Sequence, residues 1–122
     1  MARREQIEGV ATTTLAPGLK SVLATIATKG STYVRFALVN VGANPITAMD
    51  VQRSIGGLYV PDDAMNTAIA AKLPLAVSGN IDIEYTRPIG DSLQVNITSA
   101  LGADVEWGFY VETQNAQSGP VP

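Results

Sequence analysis

Two short runs near the C-terminus, residues 93–97 and 105–111, constrain this chain more than any other feature. In the second, Val105, Trp107, Phe109 and Val111 alternate with Glu106, Gly108, Tyr110 and Glu112. Successive side chains of a strand point to opposite faces, so this period of two describes one apolar face and one polar face. Such a strand has to lay its apolar face on another layer. The chain is built for a half-buried antiparallel sheet.

The same alternation recurs upstream. Residues 21–28 set Val22, Ala24 and Ile26 against Leu23, Thr25 and Ala27. Residues 32–41 carry Val34, Phe36 and Leu38 on one face and Tyr33, Arg35, Ala37 and Val39 on the other. Apolar residues on both faces suit a central strand, or one whose outer face meets another subunit. The stretch Asn40-Val41-Gly42-Ala43-Asn44-Pro45 has turn chemistry, and residues 46–53 read as its hairpin partner. Residues 80–85 alternate Ile81, Ile83 and Tyr85 with Asp82 and Glu84. Residues 92–99 alternate Leu93, Val95 and Ile97 with Gln94, Asn96 and Thr98, and 100–103 read as a hairpin into the last strand.

Between them lies a less regular third. Ile55-Gly56-Gly57-Leu58-Tyr59-Val60-Pro61 reads as a Gly-rich link. Residues 62–73 place Met65, Ala68, Ile69 and Lys72 at helix spacing, with Pro61 and Asp62 to open a helix and Pro74 to close it. A long loop crossing between sheets is the competing reading. At the N-terminus, threonines 12–14 precede a Pro17-Gly18 turn signal; the segment reads as an extended arm or as an edge strand, and is taken here as an arm.

The resulting expectation is an all-β fold: an antiparallel β-sandwich, jelly-roll-like or immunoglobulin-like, with one short helical insertion. A small closed barrel is the competitor. The organisation expected is an N-terminal arm at 1–20, a sandwich domain at 21–112 and a flexible tail at 113–122. Phe36, Leu38, Leu93, Val95, Ile97, Val105, Trp107 and Phe109 are the expected core.

Composition bears mainly on what the chain does not do. Of 122 residues, 46% are hydrophobic and only 16% charged, against about 25% in an average soluble domain. A chain with so few charges either buries much of itself or hides part of its surface against partners. There is no Cys and no His, which removes thiolate nucleophiles, disulfides, the usual zinc sites, and Ser-His-Asp or Cys-His catalysis. The reading is therefore of a protein that is not an enzyme and needs no cofactor. A net charge of −3 and a pI near 4.7 argue against nucleic acid as the main partner, although Arg3, Arg4 and Lys20 would make a small basic arm. No apolar run of about 18 residues is present to span a membrane, and no apolar signal core follows Arg3-Arg4, so usual export is not expected.

Several residues invite a chemical reading and each has a plainer one. Asp62 and Asp63, with Asp91 or Asp50, are oxygen ligands of the kind calcium takes, but they suit a helix start better. Asp82 and Glu84 share a strand face as a carboxylate pair would, and equally as a solvent face would. Trp107, Phe109, Tyr110 and Tyr59 are the material of a sugar platform, with core packing the plainer role for the first two. Gly56-Gly57 lacks the pattern of a phosphate loop. Gly90-Asp91-Ser92-Leu93 spells the lipase-like GDSL string, whose nucleophile needs a His that this chain lacks. No catalytic, cofactor or metal residue is assigned.

Three stretches carry a family resemblance. They are Arg35 to Ile46, with its Asn-x-Gly and Asn-Pro turn; Gly90 to Val95; and Ser99 to Val105, a small-residue hairpin. Together they resemble the small β-sandwich decoration (cement) proteins of tailed-bacteriophage virions, over roughly residues 34–111. The resemblance implies a structural role in a virion assembled in the host cytoplasm. The partners would be the major capsid protein or another virion protein, with self-association as a dimer or trimer and no membrane or nucleic acid. The insertion at 62–73 has no place in that pattern. The alternative function is a carbohydrate- or receptor-binding sandwich module of a phage tail or surface assembly.

Overall fold

In the computed structural model, which describes residues 3–86 and 89–114 with side chains from 11 to 112, eight strands and one helix follow the chain. They are β1 (Arg3–Leu15), β2 (Ser21–Ala27), β3 (Ser31–Asn40), β4 (Ala48–Ile55), β5 (Leu58–Pro61), α1 (Asp63–Ala70), β6 (Asn80–Tyr85), β7 (Ser92–Thr98) and β8 (Ala103–Gln114). One sheet has the order β1-β8-β3-β6 and the other β2-β7-β4-β5. Every pairing is antiparallel, and first pairs with last throughout: β1 with β8, β2 with β7, β3 with β6, β4 with β5. This nesting is a long hairpin rolled on itself into two packed sheets. The fold is a β-sandwich of jelly-roll topology.

The core lies between the two inner faces. Val34, Phe36 and Leu38 of β3, Ile81 and Ile83 of β6, and Val105 and Val111 of β8 line one side. Ala24 and Ile26 of β2, Met49 and Val51 of β4, and Leu93, Val95 and Ile97 of β7 line the other. Each fully buried side chain of this size contributes about 1.5–3 kcal/mol. Of the expected core, Trp107 and Phe109 are only partly buried and pack against its margin.

Several expectations need correcting. Residues 32–41 and 46–53 do not form a hairpin, because β3 and β4 lie in opposite sheets. The Asn-x-Gly signal that suggested one is a local turn built on buried Asn40. Its side-chain oxygen accepts from Gly42 N–H at 3.0 Å, and its amide donates to the carbonyls of Asn44 and Leu75 at 2.8 and 3.1 Å. Gly42 is needed there, since a Cβ would sit 2.5 Å from the Asp104 nitrogen. Residues 100–103 likewise cross between sheets rather than forming a hairpin. In β2 the pairing shifts between Val22 and Ala24, a bulge that leaves Leu23 buried and turns Val22 to the surface.

The expected N-terminal arm is largely a strand. β1 runs along β8 from Arg3 opposite Gln114 to Leu15 opposite Ala103, and Leu15 reaches the core at 2% exposure. Its position at the end of the sheet order is the edge-strand reading. Of the expected tail, residues 113 and 114 close β8, and 115–122 lie outside the described residues.

The expected helix forms over a shorter span. Asp62 caps it by accepting the Met65 N–H at 3.1 Å, and Ala71 ends it ahead of Pro74. The strand β5 escaped sequence reading. Gly56 and Gly57, with φ of 61° and 88°, form a two-residue turn that pairs Ile55 with Leu58.

Among the described residues two buried side-chain groups have no hydrogen-bond partner, the Ser31 hydroxyl and Arg53 Nε. The Ser31 hydroxyl is buried and makes no hydrogen bond among the described residues, while its N–H is held by the Thr28 carbonyl at 2.8 Å. Ser31→Ala is expected to leave stability unchanged or raise it by up to about 1 kcal/mol, because an unsatisfied buried hydroxyl costs more than it returns. Urea unfolding of the variant checks this, and a clear fall in midpoint would mean the hydroxyl has a partner.

Candidate functional site

Both carboxylates of the expected acid–base pair already accept hydrogen bonds. Arg35 grips Asp82 with both Nε and Nη2, and Tyr33 donates its hydroxyl to Glu84 at 2.5 Å. Hydrogen bonding to Arg35 holds the Asp82 carboxyl below its ordinary range. Both groups lie on the exposed face of the outermost strand β6, the solvent-face reading.

The four aspartates considered for calcium are put to separate uses. Asp62 caps α1, Asp63 lies in its first turn, Asp50 pairs with Lys20 at 3.4 Å, and Asp91 accepts the Gly56 N–H at 2.9 Å. Among the described residues no three metal-ligating side chains come together. The GDSL string is a brace: Gly90 and Asp91 accept from Thr28, and Asp91 N–H donates to the Ser54 carbonyl at 2.7 Å. Gly90, at φ 135°, leaves no room for a Cβ beside that carbonyl.

The aromatic residues do not assemble into a platform. Trp107 stacks between Phe36 and Phe109, with ring centroids at 6.0 and 6.4 Å, and donates its indole N–H to Thr13 at 3.0 Å. Tyr110 meets Tyr33 edge-on at 5.9 Å on the outer face of the same sheet. Tyr59 stands on β5, in the other sheet.

Two surfaces remain that the sequence did not single out. The first is the end of the sandwich carrying the connections 16–20, 41–47, 71–79 and 99–102. Leu19, Val41, Val77 and Leu101 are exposed there, one per connection, with Leu19 at 60% and Leu101 at 68%. The connections are tied to the strands and to each other. Gly18 N–H bonds the Ser99 carbonyl, Ser78 N–H that of Asn40, Val41 N–H that of Asp104, and the Asn44 amide those of Leu101 and Gly102. Apolar tips on braced loops cannot collapse inward.

The second is a cavity of about 730 Å³ where α1 meets the β4 and β6 strands, lined by Arg53, Asp62, Met65, Glu84, Tyr85 and Ile89 among others. Tyr85 donates to Asp62 at 2.8 Å, and Arg53 Nε stands 3.9 Å from the same carboxylate oxygen. Burial, then the bond to Asp62, push the Tyr85 hydroxyl far above its ordinary value, so it stays a donor. Arg53 follows Met49 and Val51 on the core-facing register of β4, as Tyr85 follows Ile81 and Ile83 on β6. A break in the apolar alternation at the end of both runs is the signal that sequence reading passed over.

The helix is fixed beside this cavity by Asn66. Its side chain accepts the Val51 N–H at 2.7 Å and donates to the Val51 carbonyl at 3.2 Å, continuing the edge pairing where β5 stops. Asn66→Ala is expected to cost about 1–3 kcal/mol by leaving the Val51 N–H unpaired. Asn66→Asp, which keeps the acceptor, should cost less; thermal melts of the two variants decide.

No known family profile matches the chain, and no curated protein sequence does. Among solved structures it is similar to a chain of Bacillus endospore appendages, described as a novel family of disulfide-linked pili. The identity is 9% and the TM-score 0.52, over 93% of this chain and 89% of that one. A chain of infectious bursal disease virus, Gx strain, matches at 10% identity and TM-score 0.47, over 94% of this chain but 32% of the viral one. A de novo designed double-stranded β-helix matches at 9% and 0.38, over 85% and 99%. At such identities the first likeness speaks for the fold alone, and the other two are too distant to carry an argument.

Proposed function

We propose that this chain is a structural accessory protein that binds an assembled shell, namely a capsid decoration protein of a tailed bacteriophage. It sits in the virion across neighbouring capsid subunits, as a dimer or trimer, and performs no chemistry. The observation that carries this reading is the braced end of the sandwich with Leu19, Val41, Val77 and Leu101 exposed together. Apolar side chains held on braced loops at one end of a domain are of the kind a protein partner covers. The lack of His and Cys and the engagement of Asp82 and Glu84 by Arg35 and Tyr33 agree with a binding role rather than catalysis.

The test uses particles purified from cultures that make the protein, stripped of it and reloaded. Val41→Asp and Leu101→Asp sit on exposed loops and should melt like the parent. Each is expected to weaken particle binding at least tenfold, since an interface anchor contributes more than about 1 kcal/mol. Binding unchanged in both variants would place the contact elsewhere.

A further inference from the structure

A charged residue on a core-facing register is out of place unless something meets it. Arg53 is such a residue. Along β4, Met49 and Val51 are buried between the sheets, and Arg53 continues their face opposite Leu93 of β7. Among the described residues its one ionic neighbour is Asp62, at 3.9 Å, too far for a hydrogen bond. Its Nε is buried and without a partner among the described residues, and the guanidinium tip makes no hydrogen bond with them. Asp62 meanwhile is already supplied with donors, Met65 N–H at 3.1 Å and the Tyr85 hydroxyl at 2.8 Å. The donors of Arg53 are therefore left to whatever enters the cavity.

We propose that this cavity is a binding site for a neutral polyhydroxyl ligand, a saccharide ring. Its volume of about 730 Å³ lies within the range of small-ligand sites, roughly 300–1,000 Å³. The charge of the lining selects the class. Among the described residues the lining carries the side chains of Arg53, Asp62 and Glu84 as its charged groups, one positive and two negative. An anion would gain Arg53 and be repelled by the carboxylates; a cation would meet the reverse. Hydroxyl groups both donate and accept, so neighbouring hydroxyls can accept from Arg53 and donate to Glu84 without adding charge. Met65 and Ile89 give the apolar wall on which the C–H face of a ring rests. This site is separate from the loop end proposed to bind a shell, and neither proposal depends on the other.

The test is methyl NMR of the full-length folded protein, titrated separately with glucose, galactose, mannose and N-acetylglucosamine. At least one sugar should produce saturable shifts at the Met65 and Ile89 methyls. Arg53→Gln should weaken that binding at least tenfold, about 1.4 kcal/mol. Glu84→Gln, on the exposed rim, should do the same without altering the melt, which keeps the test valid if Arg53→Gln fails to fold. No saturable shift with any of the four sugars overturns the proposal. So does binding that survives Glu84→Gln. Sodium acetate reproducing the same shifts would overturn it in favour of an anion site.

Discussion

Replacing Phe36 with alanine is expected to destabilise the protein by about 3–5 kcal/mol, a large share of the roughly 5–15 kcal/mol that holds a domain folded. Phe36 is fully buried in the middle of β3, opposite Phe109 of β8 and Ile83 of β6, and its ring stacks on Trp107. The sheets on both sides hold the backbone in place, so the cavity left behind cannot close. Trp107→Ala should cost less despite the larger side chain, because the indole is only partly buried and its partner Thr13 is partly open to water. Denaturant unfolding of the pair checks the order. A Trp107 effect larger than that of Phe36 would contradict the packing described.

Deleting residues 1–15 is expected to abolish the folded state rather than trim it. The truncation removes β1 along the whole length of β8, takes Leu15 out of the core and strips the cover from Trp107. It also exposes β8 as a new edge, with a row of unpaired backbone groups that invites aggregation. An arm that orders only on a partner would behave otherwise: the remainder would melt like the full chain and fail only in assembly. Circular dichroism of the truncated protein separates the two. A cooperative melt at the parental temperature would return residues 1–15 to the status of an arm.

Much of this fold is legible in the chain because its strands are half-buried. In β3, β6, β7 and β8 the period of two is a direct imprint of one dry and one wet face. What fails to register is pairing. Asn40 to Pro45 looks like a hairpin turn, yet the residues that turn the chain also carry it to the opposite sheet, and local sequence does not distinguish the two. β1 finds its partner about ninety positions away, at the other end of the chain, as Thr14 does with Asp104. No marker for that exists in residues 1–20. β5 has little burial on either face, so it leaves no alternation to read. The cavity was legible in principle, since Arg53 and Tyr85 each end an apolar run with a polar tip. The surface apolar tips were not, because nothing in Leu19 or Leu101 alone says that they share one end of a sandwich.

The most direct test of a structural role is to count copies of this protein on purified particles. On the proposed reading the protein occupies equivalent sites on a shell, so quantitative mass spectrometry should give a constant ratio to the major shell protein across preparations. Adding back excess protein to stripped particles should saturate at that same ratio. A ratio that varies between preparations, or add-back that never saturates, would contradict the account.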